Sequence, residues 1–167
     1  MNGKNKGFSL VELIVVIAIM VILTGLISMG VGLAVNKPAD ECASKIKATL
    51  QSNRVTTMGK YDAHVEIYKK NNQIFAKEIM VEDSTGKTTT KENLVGTKGV
   101  QVFYEKDGSG SYTELVEGAD PIKIYYDRSS GAFSNTPGYC CTRIKVVKGS
   151  KEVILRLYTM TGKIVVE

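Results

Sequence analysis

The chain has 167 residues, 43% of them apolar, with a formal net charge of +5. That length leaves room for one domain and a membrane segment. Three cysteines (Cys42, Cys140 and Cys141) are too few for a disulfide framework, and their spacing fits no zinc site.

The charge is unevenly spread. Lys4 and Lys6 stand in the first seven residues, residues 36–138 carry 14 basic and 14 acidic side chains, and residues 139–167 carry six basic against two acidic. From Phe8 to Val35 there are 28 residues with one charge, Glu12. A helix of that length reaches ~42 Å, more than the ~30 Å hydrocarbon core of a bilayer, so it can span a membrane and project beyond it. Lys4 and Lys6 place residues 1–7 on the cytoplasmic side and the residues after Val35 outside. A secretory signal peptide fits poorly, because the run is about twice an ordinary apolar core and no small-x-small site ends it. A lipoprotein signal fails because Cys42 follows Ala39-Asp40-Glu41.

Glu12 is the costly residue of this segment. An acidic side chain in an apolar helix costs roughly 2.5–3.5 kcal/mol at mid-membrane, and no charged partner lies within one helical turn. A cut between Gly7 and Phe8 creates an α-amino group at Phe8 that is largely cationic at neutral pH. A neighbouring copy can present that amine to Glu12, pairing two charges and setting an axial stagger between subunits.

The stretch Gly7-Phe8-Ser9-Leu10-Val11-Glu12-Leu13, followed by Ile14 to Leu23, resembles the leader junction of type IV pilins and type II secretion pseudopilins. The resemblance implies that prepilin peptidase cleaves after Gly7 and methylates the amine of Phe8. It also makes Glu12, fifth in the mature chain, the subunit-docking glutamate. The implied partners are other pilin or pseudopilin subunits, the peptidase, the assembly platform and, before assembly, membrane lipid. The implied location is a single-pass anchor first and a surface or periplasmic filament afterwards. Many relatives carry a proline midway along the apolar helix. Here Gly25, Gly30 and Gly32 stand instead, each ~1 kcal/mol worse than alanine in a helix, and the first proline is Pro38.

After Pro38 a second helix is expected over about 39–58, with Cys42, Ala43, Ile46 and Leu50 as its apolar stripe and Gly59 as its stop. From residue 62 the period changes to two. Val65 and Ile67, Ile74 to Val81, Val100 to Tyr104, Ile122 to Tyr126, Ile144 and Val146, Val153 to Leu157, and Ile164 and Val166 read as strands. The expected fold is α+β: a long amino-terminal helix packed against an antiparallel meander of six to eight strands, as in the pilin plan. The expected parts are a leader at 1–7, an assembly helix at 8–35 and an extracytoplasmic head at 36–167. Within the resemblance, the ending from Val153 to Val166 with its Thr161-Gly162-Lys163 turn is similar to H-type and FimT-like minor subunits.

Little in the chain points to catalysis or to a cofactor. His64 is the only histidine and reads as a strand-surface residue. Gly108 and Gly110 belong to a hairpin turn with no helix after it, and Asp107, Asp120 and Asp127 lack calcium-loop spacing. A bond from Cys42 to Cys140 or Cys141 would fasten helix to sheet outside the membrane, where disulfides persist; buried thiols are the alternative. The basic C-terminal end is open to nucleic acid or simply to solvent, and without interleaved exposed aromatics the nucleic-acid reading is weakly supported. The sequence therefore points to a non-enzymatic structural subunit of a filament, with an anchored adhesion or DNA-uptake subunit as the alternative.

Overall fold

A computed structural model describes residues 9–59, 61–106, 108–134 and 141–167, and the side chains of all of these except 26–36. Two compact units result, Met1–Val35 and Asn36–Glu167. Helix α1 (Leu10–Thr57) contributes residues to both, and each unit is taken by itself. Pro38, expected ahead of a second helix, lies inside α1.

The second unit is built on the last five turns of α1. Ala39, Cys42, Ala43, Ile46, Leu50, Asn53 and Thr57 are all buried, at three- and four-residue spacing that keeps them on one face. Full burial of Ile46 and of Leu50 contributes about 1.5–3 kcal/mol each. The helix stops where Gly59 donates its N–H to the Thr56 carbonyl at 3.1 Å.

Ten strands follow: β1 (Tyr61–Lys70), β2 (Gln73–Glu82), β3 (Thr88–Gly96), β4 (Gln101–Lys106), β5 (Tyr112–Glu114), β6 (Ile122–Tyr126), β7 (Phe133–Ser134), β8 (Cys141–Lys148), β9 (Lys151–Tyr158) and β10 (Lys163–Val166). The α+β class is as expected, and all pairings are antiparallel. The single meander is not: the strands form two five-stranded sheets, β3-β2-β1-β6-β7 and β10-β9-β8-β4-β5. The chain leaves the first sheet after β3, returns to it for β6 and β7, and finishes in the second. Alternation within a strand says which face is apolar, but not which strand lies alongside. The additional strands, β3, β5 and β7, are short or exposed. β3 shows solvent at five of its first five residues because it is an edge.

One core serves both sheets. Val65, Ile67, Ala76, Ile122 and Ile124 of the first and Val102, Ile144, Val146, Val153 and Leu155 of the second join the buried stripe of α1. The β1–β2 hairpin turns on Asn71 and Asn72 (φ 53° and 57°), the conformation a two-residue turn between right-twisted strands requires. Glu117 accepts the Asn71 N–H at 2.8 Å and so ties that hairpin to the loop before β6.

Arg54 closes the far end of the unit. Its Nε donates to the Gly131 carbonyl at 2.8 Å and its Nη2 to the Thr161 carbonyl at 2.9 Å. Gly131 belongs to the β6–β7 turn of one sheet and Thr161 to the β9–β10 turn of the other, so one guanidinium joins helix and both sheets. Phe133 adds a backbone bond to the Thr159 carbonyl at 3.0 Å. The turns approach so closely that a Cβ on Gly162 (φ 64°) would lie 1.9 Å from the Gly131 carbonyl oxygen. Gly162→Ala is therefore expected to lose about 2–4 kcal/mol and to lower the thermal midpoint by roughly 5–15 °C. Gly86→Ala, with a similar φ of 66° but nothing within 4 Å, should lose only about 1 kcal/mol. Equal midpoints for the two variants would show that the closure at Arg54 carries no weight.

Candidate functional site

The first unit presents Ser9 and Glu12 at the start of α1. The Ser9 N–H donates to Glu12 Oε2 at 3.0 Å, and the Glu12 N–H donates to Ser9 Oγ at 3.2 Å. This is a capping box, in which serine and glutamate three residues apart satisfy each other's otherwise orphaned amide groups. The helix dipole adds a favourable field for a carboxylate in the first turn. Glu12 thus has neutral hydrogen-bond partners at the start of its own helix, beyond what the sequence reading named, and no charged partner for it occurs among the described residues. The Ser-x-x-Glu spacing carried that signal. Gly7 and Phe8 lie outside the described residues.

Around this box the helix offers only apolar surface. Leu10, Val11, Leu13, Ile14 and the large apolar residues through Leu23 are exposed within the unit. Among the described residues, no helix is long and apolar enough to cross a membrane.

The cysteines fall in the second unit. Cys42 is fully buried on α1, with Sγ 3.0 Å from where a Gly96 Cβ would sit. Cys141 is buried on β8. The two are not joined to each other, and Cys140 lies outside the described residues. Burial pushes the Cys42 thiol up to about 12, against a smaller lowering by Lys45. The thiolate, which is the nucleophile, is therefore scarce at neutral pH.

His64 is on β1, stacked on Tyr125 with ring centroids 4.6 Å apart, and burial lowers its pKa. Asp127 is occupied by its own turn: Oδ1 accepts from Ser129 and Ser130 N–H and hydroxyl groups at 2.6–3.1 Å, which hold the carboxyl down near 2. Asp120 is exposed, Asp107 lies outside the described residues, and among the described residues no cluster of metal-ligating side chains occurs.

The basic C-terminal end is largely paired. Arg143 meets the fully buried Glu105 at 3.0 Å, Lys145 meets Glu152 at 3.4 Å, Lys151 meets Asp40 at 3.6 Å and Arg156 meets Glu167 at 3.5 Å. The expectation that no exposed aromatics interleave with these cations is corrected at Tyr158 alone, and two half-buried rings also meet them. Lys145 Nζ stands 4.6 Å from the Tyr112 ring centroid and 5.4 Å from that of Phe103, and Arg156 stands 5.3 Å from that of Tyr158. Strand pairing brings Lys145 to Tyr112 and Phe103, 33 and 42 positions away, which no local pattern reveals, whereas Arg156 and Tyr158 are two apart on one strand.

Residues 2–28 match the prokaryotic N-terminal methylation motif, the class III leader of type IV pilins. With the α+β head, the motif supports a type IV pilin-like or pseudopilin precursor. Such a precursor is processed by prepilin peptidase and assembles with other subunits of its kind. No curated protein and no solved structure matches the chain.

Cys42 in the folded chain should resist iodoacetamide at pH 8 and become labelled in denaturant, as thiol mass mapping will show. Labelling at comparable rates in both states would contradict the burial that raises its pKa.

Proposed function

We propose that the chain is a structural subunit, of the minor kind, in a type IV pilus or a pseudopilus. The methylation motif at residues 2–28, with the Glu12 carboxylate held at the start of its helix, carries this reading. The 28 residues from Phe8 to Val35, with their single charge, anchor the precursor in the membrane with residues 1–7 in the cytoplasm. Prepilin peptidase cuts between Gly7 and Phe8 and methylates the new amine. The mature helix then leaves the bilayer and packs among the helices of other subunits, so that the head at 36–167 stands outside the membrane. The role is one of assembly, not of catalysis.

The capping box refines how Glu12 works in this reading. Ser9 N–H takes Oε2, and Oε1 can accept from a second donor. The methylated amine of Phe8 on a neighbouring subunit supplies one, together with the positive charge that offsets burying the carboxylate among apolar helices. Docking in any other axial register leaves both charges without that partner. The pair therefore selects register as well as stabilising it.

Two measurements test this. Terminal mass analysis of chain extracted from cells with an active prepilin peptidase should give an amino terminus at Phe8 carrying one methyl group. A chain that still begins at Met1 in those cells would overturn the reading. Glu12→Gln should insert into the membrane as the parent does but enter filaments more than about 100-fold less well, since a buried amine left alone costs about 3–5 kcal/mol. Normal filament incorporation by that variant would remove the charge pair from the mechanism.

A further inference from the structure

In the second sheet, Arg143 of β8 and Arg156 of β9 stand directly opposite each other. Side chains so placed are about 4.5–5.5 Å apart at Cβ, and like charges there repel. Each guanidinium is countered on its far side only. Glu105 on β4 holds Arg143 at 3.0 Å. Glu167 approaches Arg156 at 3.5 Å. The order across the sheet is minus, plus, plus, minus, and its centre is two cations facing each other.

These two arginines line a cavity of about 310 Å³ with Gly108, Thr142 and the run Leu157 to Thr161. Among its described lining residues are two guanidiniums, each already paired with one carboxylate, and several neutral donors. Thr142 also lines the cavity, and its Oγ1, shielded from solvent in the free protein, has no hydrogen-bond partner among the described residues. A buried hydroxyl without a partner is costly, and such groups are normally satisfied by water or by a ligand. Arg143 is held by Glu105, whose other oxygen accepts the Gly110 N–H, so its position is preset and not assembled on binding. Leu157 and Met160 give the cavity an apolar side.

We propose that this cavity binds a phosphate-class oxyanion, bridged by Arg143 and Arg156 with the Thr142 hydroxyl as a further donor. Guanidinium is suited to this role because its planar fork donates to two oxygens at once. A tetrahedral dianion has oxygens for both forks and for a hydroxyl, and its charge completes the alternation across β4, β8 and β9. The ligand is either free phosphate or the phosphate monoester of a small molecule whose stem lies along Leu157 and Met160.

The test uses the full chain in detergent micelles at fixed ionic strength, titrated with inorganic phosphate and separately with glycerol phosphate. Arginine Nε–Hε resonances and calorimetry report binding. Both Arg143 and Arg156 signals should shift saturably, and Arg156→Gln should weaken binding about 10-fold or more. Thr142→Val should weaken it about 5-fold without lowering the thermal midpoint, because it removes a hydroxyl that has no partner in the free protein. Lys87→Gln, which removes a charge from the β2–β3 turn, should leave binding unchanged. Tighter binding of glycerol phosphate than of phosphate supports the site with an esterified ligand, and the reverse supports it with free phosphate. Absence of saturable shifts at both arginines would overturn the site, as would equal weakening by Lys87→Gln and Arg156→Gln. Arg156→Lys keeps the charge and loses the fork. It serves as the second variant should Arg156→Gln not fold, and binding at the parent affinity in a folded Arg156→Lys overturns the bridging geometry.

Discussion

The stripe of α1 from Ala39 to Thr57 is the surface on which the rest of this unit is gathered, one buried helix face with exposed positions between. Ala39, Cys42, Ile46 and Leu50 show no exposed surface, and strands of two separate sheets share their core. Strands of both sheets contribute to the core that this single face of the helix joins. The chain changes sheets three times, since each layer must be completed by segments distant in sequence. Such long-range pairing forms slowly, because loops must close before contacts reward them.

Two layers gathered by a helix need a device that closes their ends, and Arg54 supplies it. A single planar cation with forked donors reaches one carbonyl from each sheet. Gly131 and Gly162 allow the two turns to come near enough for that, at positive φ and with no space for a Cβ. The stripe turns polar as it nears this end. Asn53 is fully buried, and the Thr57 hydroxyl lies 2.9 Å from the Asn53 carbonyl and 3.2 Å from that of Ala63. Apolar burial thus governs the middle of the helix, and hydrogen bonds to turns govern its end.

The charged residues follow a related division. On the solvent side of the second sheet, acids from β4, the β9 start and the C-terminus face the basic residues of β8 and β9. The exposed pairs are worth little for stability, typically below 1 kcal/mol. The Glu105–Arg143 pair differs because its carboxylate is fully buried, and losing its partner would leave an uncompensated charge. These pairs leave Arg143 and Arg156 facing each other across β8 and β9, each with a carboxylate of its own.

Much of this protein was legible in order of sequence. The junction Gly7 to Leu13, the single charge in the apolar run, the stripe Cys42-Ala43-Ile46-Leu50 and the stop at Gly59 are local patterns, written by helix period and by the cost of charge in apolar surroundings. Strands with regular alternation, such as Val65 to Ile67 and Val153 to Leu157, belong to the same group. The Ser9–Glu12 box was equally local, a spacing of three. β3 left no such mark, because an edge strand of threonines buries almost nothing, and neither did the two-residue β7. The partners Arg54–Gly131, Glu105–Arg143 and Arg143–Arg156 could come only from the tertiary structure. Strand pairing and turn closure are set by the fit of surfaces 13 to 107 residues apart, and the local period carries no information about which surfaces meet.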